Sequence, residues 1–364
     1  MTRPEAAEPG TGSGAAGPFS RLLHLGNVVV DLVLTVPALP ERGGDVLASD
    51  TRLAAGGGFN VLAAAARQGL PAVYAGAHGS GPFARLARTA LDAEGVEVLL
   101  PAKPGLDTGF VVAMVEAGGE RTFLTSPGAE ATLTAADLRA VVPGTEDAVC
   151  LSGYGLAYPA NREALLPWLA RLPDDAVVVF DPGPLTESIP AAALAAVLAR
   201  TTWLTCNAAE ATRLAGPADP RQAARALHRR APRAGVLVRL GPAGCLLAEA
   251  GAEPVHVPGF AVTPLDTSGA GDTHTGSFLA ALSRGAAAGP AAWQANAAAA
   301  WSVTRRGPAT GPTSAELARF LHAAAPGARS SPGTGVLTGQ PGQAAVSQGS
   351  RRGPGGGVPP PLAE

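Results

Sequence analysis

Short runs of consecutive apolar residues recur along this chain, and helix-patterned stretches separate them. "RLLHLGNVVV", "PAVYAGAHG", "AVVVFDPG", "TWLTCN" and "GVLVRLG" are each of strand length. They are apolar on successive residues rather than alternate ones, so both faces of each strand are buried. That requires helices on both sides of a mostly parallel sheet. The text between them supplies such helices. "FNVLAAAARQG" reads as a helix closed by Gly69, and "FARLARTALDAEG" as one closed by Gly95.

Composition bounds the rest. The chain has 364 residues, 46% hydrophobic and 15% charged, with a formal net charge of −2. That is enough for one α/β domain of roughly 250–300 residues, or two smaller ones. Near-neutral charge gives no reason to expect nucleic acid or an anionic membrane as partner. No stretch offers the ~20 uninterrupted apolar residues of a membrane span, and the N-terminus lacks a signal-peptide core. A cytoplasmic protein is expected. Cys150, Cys206 and Cys245 are scattered in apolar runs and read as buried reduced thiols. Residues 1–18 and 326–364 are rich in Gly, Pro, Ala and Ser and read as disordered tails around a folded body at 19–325.

Two segments break the α/β rhythm. "TGFVVAMVEAGGERTFLTS" reads as a hairpin around Gly-Gly, and "VDLVLTVPALPERGGDVLASDTRLAAGG" as strands and turns without a helix. Paired, these segments, near 32–55 and 106–126, would form a small sheet over one edge of the core. Such a lid excludes water from a cleft.

"DTSGAGDTHTGSF", Asp266 to Phe278, then points to chemistry. It reads as a strand end, a tight turn and a helix. Gly269 and Gly271 let the backbone come close to a ligand. The first amides of a helix lack internal partners and seat phosphate oxygens. Asp272, in the first turn, can accept the proton of an incoming hydroxyl. Amides and acid together describe phosphoryl transfer to an alcohol. The same spacing also fits an aspartate that merely caps the helix. A Walker lysine loop is absent, because Lys103 is followed by proline, and "GAHGSG" is not a dinucleotide fingerprint.

"DTSGAGD" resembles the C-terminal signature of the ribokinase-like (PfkB) carbohydrate kinases, including uncharacterised bacterial sugar kinases. "AGGGFNVLAAAARQGLPAVYAGAHGSGPFARLARTAL" is similar to their N-terminal signature, and "GERTFLTSPGA" to their lid hairpin and substrate loop. The likeness runs from about Leu22 to Leu321. It implies a three-layer α/β/α fold with a mostly parallel sheet and a small β-sheet lid, and an enzyme that uses ATP and Mg²⁺.

By that resemblance Asp272 is the catalytic base, and Gly269, Ala270 and Gly271 form the anion hole. Asp31, Gly56, Gly57 and Asn60 bind sugar, with Ala55 in place of the family's first loop glycine. Asn207 and Glu210 match its NxxE motif, Glu210 acting on Mg²⁺ through water. Gly241 and Gly244 match a nucleotide-side turn, Arg239 stands where many members carry threonine, and Asn296 falls near the adenine pocket. By themselves these residues also read as a turn acid, a flexible loop and a helix start. Asp266, Ser268, Ser302, Arg305 and Gly307 match a monovalent-cation site. Gly311 replaces a serine of some potassium-activated members, which leaves K⁺ activation open. Gly57 replaces a lysine of ribokinase's substrate loop, which argues against ribose.

Family members often form homodimers through the lid, so that state stays open too. His274 reads as a packing or solvent-facing residue that could also contact substrate. The substrate would be a sugar, with lid side chains and "CLSGYGLAYPA" choosing it. Two alternatives remain at this point. One is a nucleoside kinase with Phe59 or Phe110 against the base; the other is a non-catalytic sugar or nucleotide sensor on the same fold.

Overall fold

A nine-stranded sheet runs through the centre of the protein, in the order β13-β12-β11-β10-β9-β8-β1-β4-β5. Its strands are β1 (Arg21–His24), β4 (Ala72–Tyr74), β5 (Glu97–Val98), β8 (Asp147–Ser152), β9 (Val177–Asp181), β10 (Trp203–Asn207), β11 (Gly235–Arg239), β12 (Gly244–Ala248) and β13 (Val255–Pro258). From β5 across to β11 every pairing is parallel; β12 and β13 are added antiparallel at one edge. The structure, a computed structural model, describes residues 17–216 and 219–324. Apart from Gly17 and Pro18, the two stretches read as tails lie outside those residues.

The two faces of the sheet carry separate cores. Leu23, Val149, Leu151, Val178, Phe180, Val236 and Val238 pack with α4 (Pro159–Ala170), α5 (Ala191–Arg200), α6 (Ala208–Ala215) and α7 (Pro220–Arg230). Their neighbours Leu22, Ala148, Cys150, Val179 and Leu237 face α1 (Gly58–Arg67), α8 (Ala270–Ser283) and α9 (Ala288–Ser302). Successive residues thus point to opposite layers, the period-2 alternation of a strand buried on both sides. The expected α/β/α fold is present. All three cysteines are buried and free.

Helix α8 is buried on every side from Thr273 to Leu282, as befits a central helix. Phe278 meets Trp203 edge-on at 4.8 Å between ring centroids. Burying such a ring contributes roughly 2–3 kcal/mol. Among the described residues no helix is long and apolar enough to cross a membrane.

A second, four-stranded sheet lies apart, in the order β3-β2-β6-β7. It comprises β2 (Val28–Thr35), β3 (Asp50–Gly57), β6 (Phe110–Val115) and β7 (Arg121–Ser126). The run "RLLHLGNVVV" is therefore two strands in two sheets, not one. The chain bends at Leu25–Asn27, where the Gly26 amide donates to His24 Nδ1 at 3.1 Å. Continuous apolarity on both sides hid that switch. Asp31 consequently sits inside β2, opposite Ala54 and Val111, rather than at the end of the first strand.

Candidate active site

Parallel strands of an open α/β sheet present ligands at their carboxyl ends. Four of those ends, His24, Ser152, Asp181 and Arg239, line one cavity of about 990 Å³. The amino end of α8 forms another wall, and the inner face of the small sheet covers it. That face carries Val33, Val111, Ala113, Phe123 and Thr125, with Asp31 among them.

Gly269 caps α8 with φ 66°, and a Cβ there would lie 1.9 Å from the Pro308 carbonyl oxygen. Only glycine fits both the left-handed conformation and that approach. No side chain caps the helix. The Ala270 amide turns back to the Thr267 carbonyl at 3.4 Å, whereas the Gly269 and Gly271 amides have no acceptor among the described residues. Asp272 does not cap. It accepts a hydrogen bond from Asn60 Nδ2, in the first turn of α1, at 2.9 Å. The Asn60 carbonyl oxygen is buried with no partner.

Burial pushes the Asp272 carboxyl up to about 6, against the Asn60 bond; Asp181 adds to the rise and Arg239 opposes it. Asp31 is pushed up to about 7 by burial and then by the nearby Asp272 charge. A Cβ at Gly56 would fall 2.1 Å from Asp31 Oδ2, so that glycine makes room for the acid. Two acids that compete to stay protonated at one end of a cleft are a frequent mark of a working site.

Arg239 Nη1 donates to Thr205 Oγ1, to Asp181 Oδ2 at 3.3 Å and to Thr275 Oγ1 at 3.4 Å; Nη2 lies 3.6 Å from Glu210 Oε2. Burial opposes its charge, but Asp181 and Glu210 outweigh burial and hold its pKa above the usual arginine range. Glu210 is raised by burial and by Asp181, and Arg239 opposes that. A Cβ at Gly271 would stand 3.2 Å from Arg239 Nε, so the guanidinium abuts the start of α8. Asn207 and Glu210 also form a capping box on α6: the Glu210 amide donates to Asn207 Oδ1 at 2.8 Å and the Asn207 amide to Glu210 Oε2 at 2.7 Å. The helix-start reading holds for both residues, and Glu210 also lines the cavity.

Of the residues singled out in the sequence, the fold brings Asp31, Gly57, Asn60, Glu210, Arg239, Asp266, Ser268, Gly269, Asp272 and Gly307 to the cavity. Gly241 and Gly244 instead frame the turn between β11 and β12. Asn296 is buried away from the cavity. Its amide nitrogen donates to the Val257 and Pro258 carbonyls, and its oxygen pairs with His274 Nε2 at 3.1 Å. His274 therefore packs, and burial pushes its imidazole down to about 3. Phe59 is a core residue, and Phe110 meets Phe83 at a tilt, 5.3 Å between ring centroids; neither lines the cavity. Ser152 and Tyr154 line it from "CLSGYGLAYPA" and Arg121 from the lid hairpin, while Asp181 lines it without having been singled out. Asp181 had a legible signal, an acid at the carboxyl end of an apolar strand.

Fold and site together define an α/β/α protein with a cavity at the carboxyl ends of its parallel strands, beneath a second sheet. The chain belongs to the pfkB family of carbohydrate kinases, whose profile matches residues 20–315. It is 33% identical over 301 residues to the uncharacterized sugar kinase YegV of Escherichia coli (strain K12), across 81% of this chain and 92% of that protein. Ribokinase from Thermotoga maritima superposes with a TM-score of 0.70 at 27% identity, covering 83% of this chain and 99% of its own. Aminoimidazole riboside kinase from Salmonella enterica, complexed with aminoimidazole riboside and an ATP analog, gives 0.70 at 26%, with 83% and 99% covered.

Proposed function

We propose that this kinase transfers a phosphoryl group from ATP to a hydroxyl of a sugar or sugar-like polyol, with Asp272 as general base. The observation that carries the reading is Asp272 itself. It lies in the cavity, beside unpaired amides at the head of α8, with its carboxyl raised to about 6. A base near that value is largely ionised at neutral pH and still basic enough to take a hydroxyl proton.

The chain's own groups divide the work. Asp31 accepts hydrogen bonds from sugar hydroxyls, and the unpartnered Asn60 oxygen takes another. Asn60 also holds Asp272 in place. The Gly269 and Gly271 amides, with Arg239 beside them, stabilise charge on the moving phosphoryl group. Mg²⁺ would offset phosphate charge when bound. Glu210 and Asp181 suit it through its waters, since no cluster of three or more metal-ligating side chains exists among the described residues. The functional unit is residues 19–325, with 32–55 and 106–126 as lid.

A nucleoside acceptor is the second reading. The inner lid face is largely apolar, and Phe123 is 62% exposed there. That favours a substrate with an apolar or planar group beside its sugar. On the outward face Leu32, Leu53, Val112 and Leu124 form one cross-strand row, which supports a homodimer through the lid. An ADP-release screen over sugars, sugar acids, polyols and nucleosides, with ATP and Mg²⁺, tests the proposal. Turnover with a hydroxylated acceptor that vanishes in Asp272→Asn is expected. Acceptor-dependent turnover that survives that change would overturn it.

A further inference from the structure

In the residues matched to a monovalent-cation site, the one carboxylate is already engaged by an arginine. Asp266 Oδ1 accepts from Arg121 Nη2 at 2.8 Å and from the Ser268 amide at 2.9 Å. Its Oδ2 accepts from the Gly307 amide at 3.0 Å and lies 4.0 Å from Arg52 Nη2. The Ser302 hydroxyl donates to the Ala299 carbonyl at 2.9 Å. The Ser302 and Gly307 carbonyls accept from Thr310 Oγ1 at 3.1 and 3.3 Å. The Arg305 guanidinium lies 3.4 Å over the Trp301 ring and donates to the Trp301 carbonyl. A bare cation needs several oxygens with lone pairs turned to a common point. Here the Asp266 carboxylate and the Ser302 and Gly307 carbonyls already serve N–H and O–H donors, which leaves the Ser268 and Arg305 carbonyls as the matched oxygens without a donor among the described residues, and the carboxylate already holds a cation.

That cation comes from the lid. Arg121 opens β7, and its Nη1 also donates to Thr267 Oγ1 at 2.9 Å. Asp266 thus joins three parts of the protein: the lid strand, the turn leading into Gly269, and the Gly307 loop. The Pro308 carbonyl in that loop presses on Gly269. The side chains of Arg121 and Asp266 are 23% and 12% exposed, so the pair is shielded more than a surface ion pair. Burial opposes ionisation of Asp266, but the two amides and Arg121 outweigh it and hold the carboxyl below the usual carboxylate range.

We infer that Arg121 supplies, from the lid, the positive charge that a free monovalent cation would otherwise bring to the Asp266 turn. It is a positioning residue: lid closure and the geometry of the phosphate seat are tied through one guanidinium, and the enzyme works without K⁺. The link to the phosphate seat rests on the kinase reading; the replacement of a bound cation by Arg121 does not.

The test compares wild type, Arg121→Ala and Arg121→Lys in potassium, sodium and tetramethylammonium acetate at equal ionic strength. Three quantities are read: turnover with the best acceptor from the screen, melting temperature without nucleotide, and Tl⁺ binding by NMR. Wild-type rates within about twofold across the salts are expected, with no K⁺-specific rise in melting temperature and no Tl⁺ site. Arg121→Ala should lose roughly tenfold in kcat in tetramethylammonium acetate, regain part of it in K⁺ and bind Tl⁺. Arg121→Lys should keep wild-type salt behaviour. Wild type activated fivefold or more by K⁺, a Tl⁺ site in wild type, or an Arg121→Ala protein indistinguishable from wild type would overturn the inference. Failure of the kinase reading shows differently, as no turnover in any salt, while the melting and Tl⁺ measurements still report on Arg121.

Discussion

Asp272→Asn should inactivate the enzyme and stabilise it at once. Neutral asparagine cannot take a proton, so kcat should fall by about 10²–10⁴. The stability effect follows from burial. The folded carboxyl titrates at about 6 against an ordinary 3.8. Its value is raised, so the native state holds the proton more tightly than the unfolded chain. Stability from this group is present at low pH and is lost as pH rises from about 4 through 6. At pH 8 the buried charge costs ~3 kcal/mol. At pH 5 the native carboxyl is already mostly protonated, and the cost is about half that. That cost is already net of the bond from Asn60, which opposes the rise. The gain at pH 8 is therefore ~3 kcal/mol, or roughly 5 °C in melting temperature. Thermal melts at pH 5 and pH 8, with the coupled assay, check this. A variant that turns over within tenfold of wild type, or melts lower than wild type at pH 8, refutes the reasoning.

Asn60→Ala removes the donor that holds the Asp272 carboxyl down. The acid limb of kcat/KM should then move to higher pH, and a lowered rate with an unmoved limb would show that Asn60 does not act through Asp272. Arg239→Ala leaves buried Glu210 and half-buried Asp181 without their cation. It should cost ~3–5 kcal/mol of stability and lower kcat by about 10²–10³; calorimetry and kinetics measure both, and near-wild-type turnover would remove Arg239 from the phosphate site.

Much of the site was legible because local chemistry and local structure coincide there. "DTSGAGD" places small residues, a helix start and an acid within seven positions, and α8 begins where that spacing puts it. The misreadings share a cause. "RLLHLGNVVV" is dominated by apolar residues on both sides of Gly26-Asn27, and that short turn signal, where the chain leaves one sheet for another, is easily read through. Asn296 bonds to His274 inside the core, while His274 Nδ1 has no partner among the described residues; a sequence cannot distinguish such a polar residue from one aimed at a ligand.

The amino-acid order alone determined the layers: consecutive apolar residues at strand length force burial on both faces, and the helices must follow. It also determined the helix mouth, since glycine, helix start and aspartate are neighbours in the chain. Only the tertiary structure decided which distant charges meet there. Asn60 reaches Asp272 across 212 positions, and Arg121 reaches Asp266 across 145. Pairings that remote depend on how two sheets and a central helix are stacked, and no local pattern encodes that.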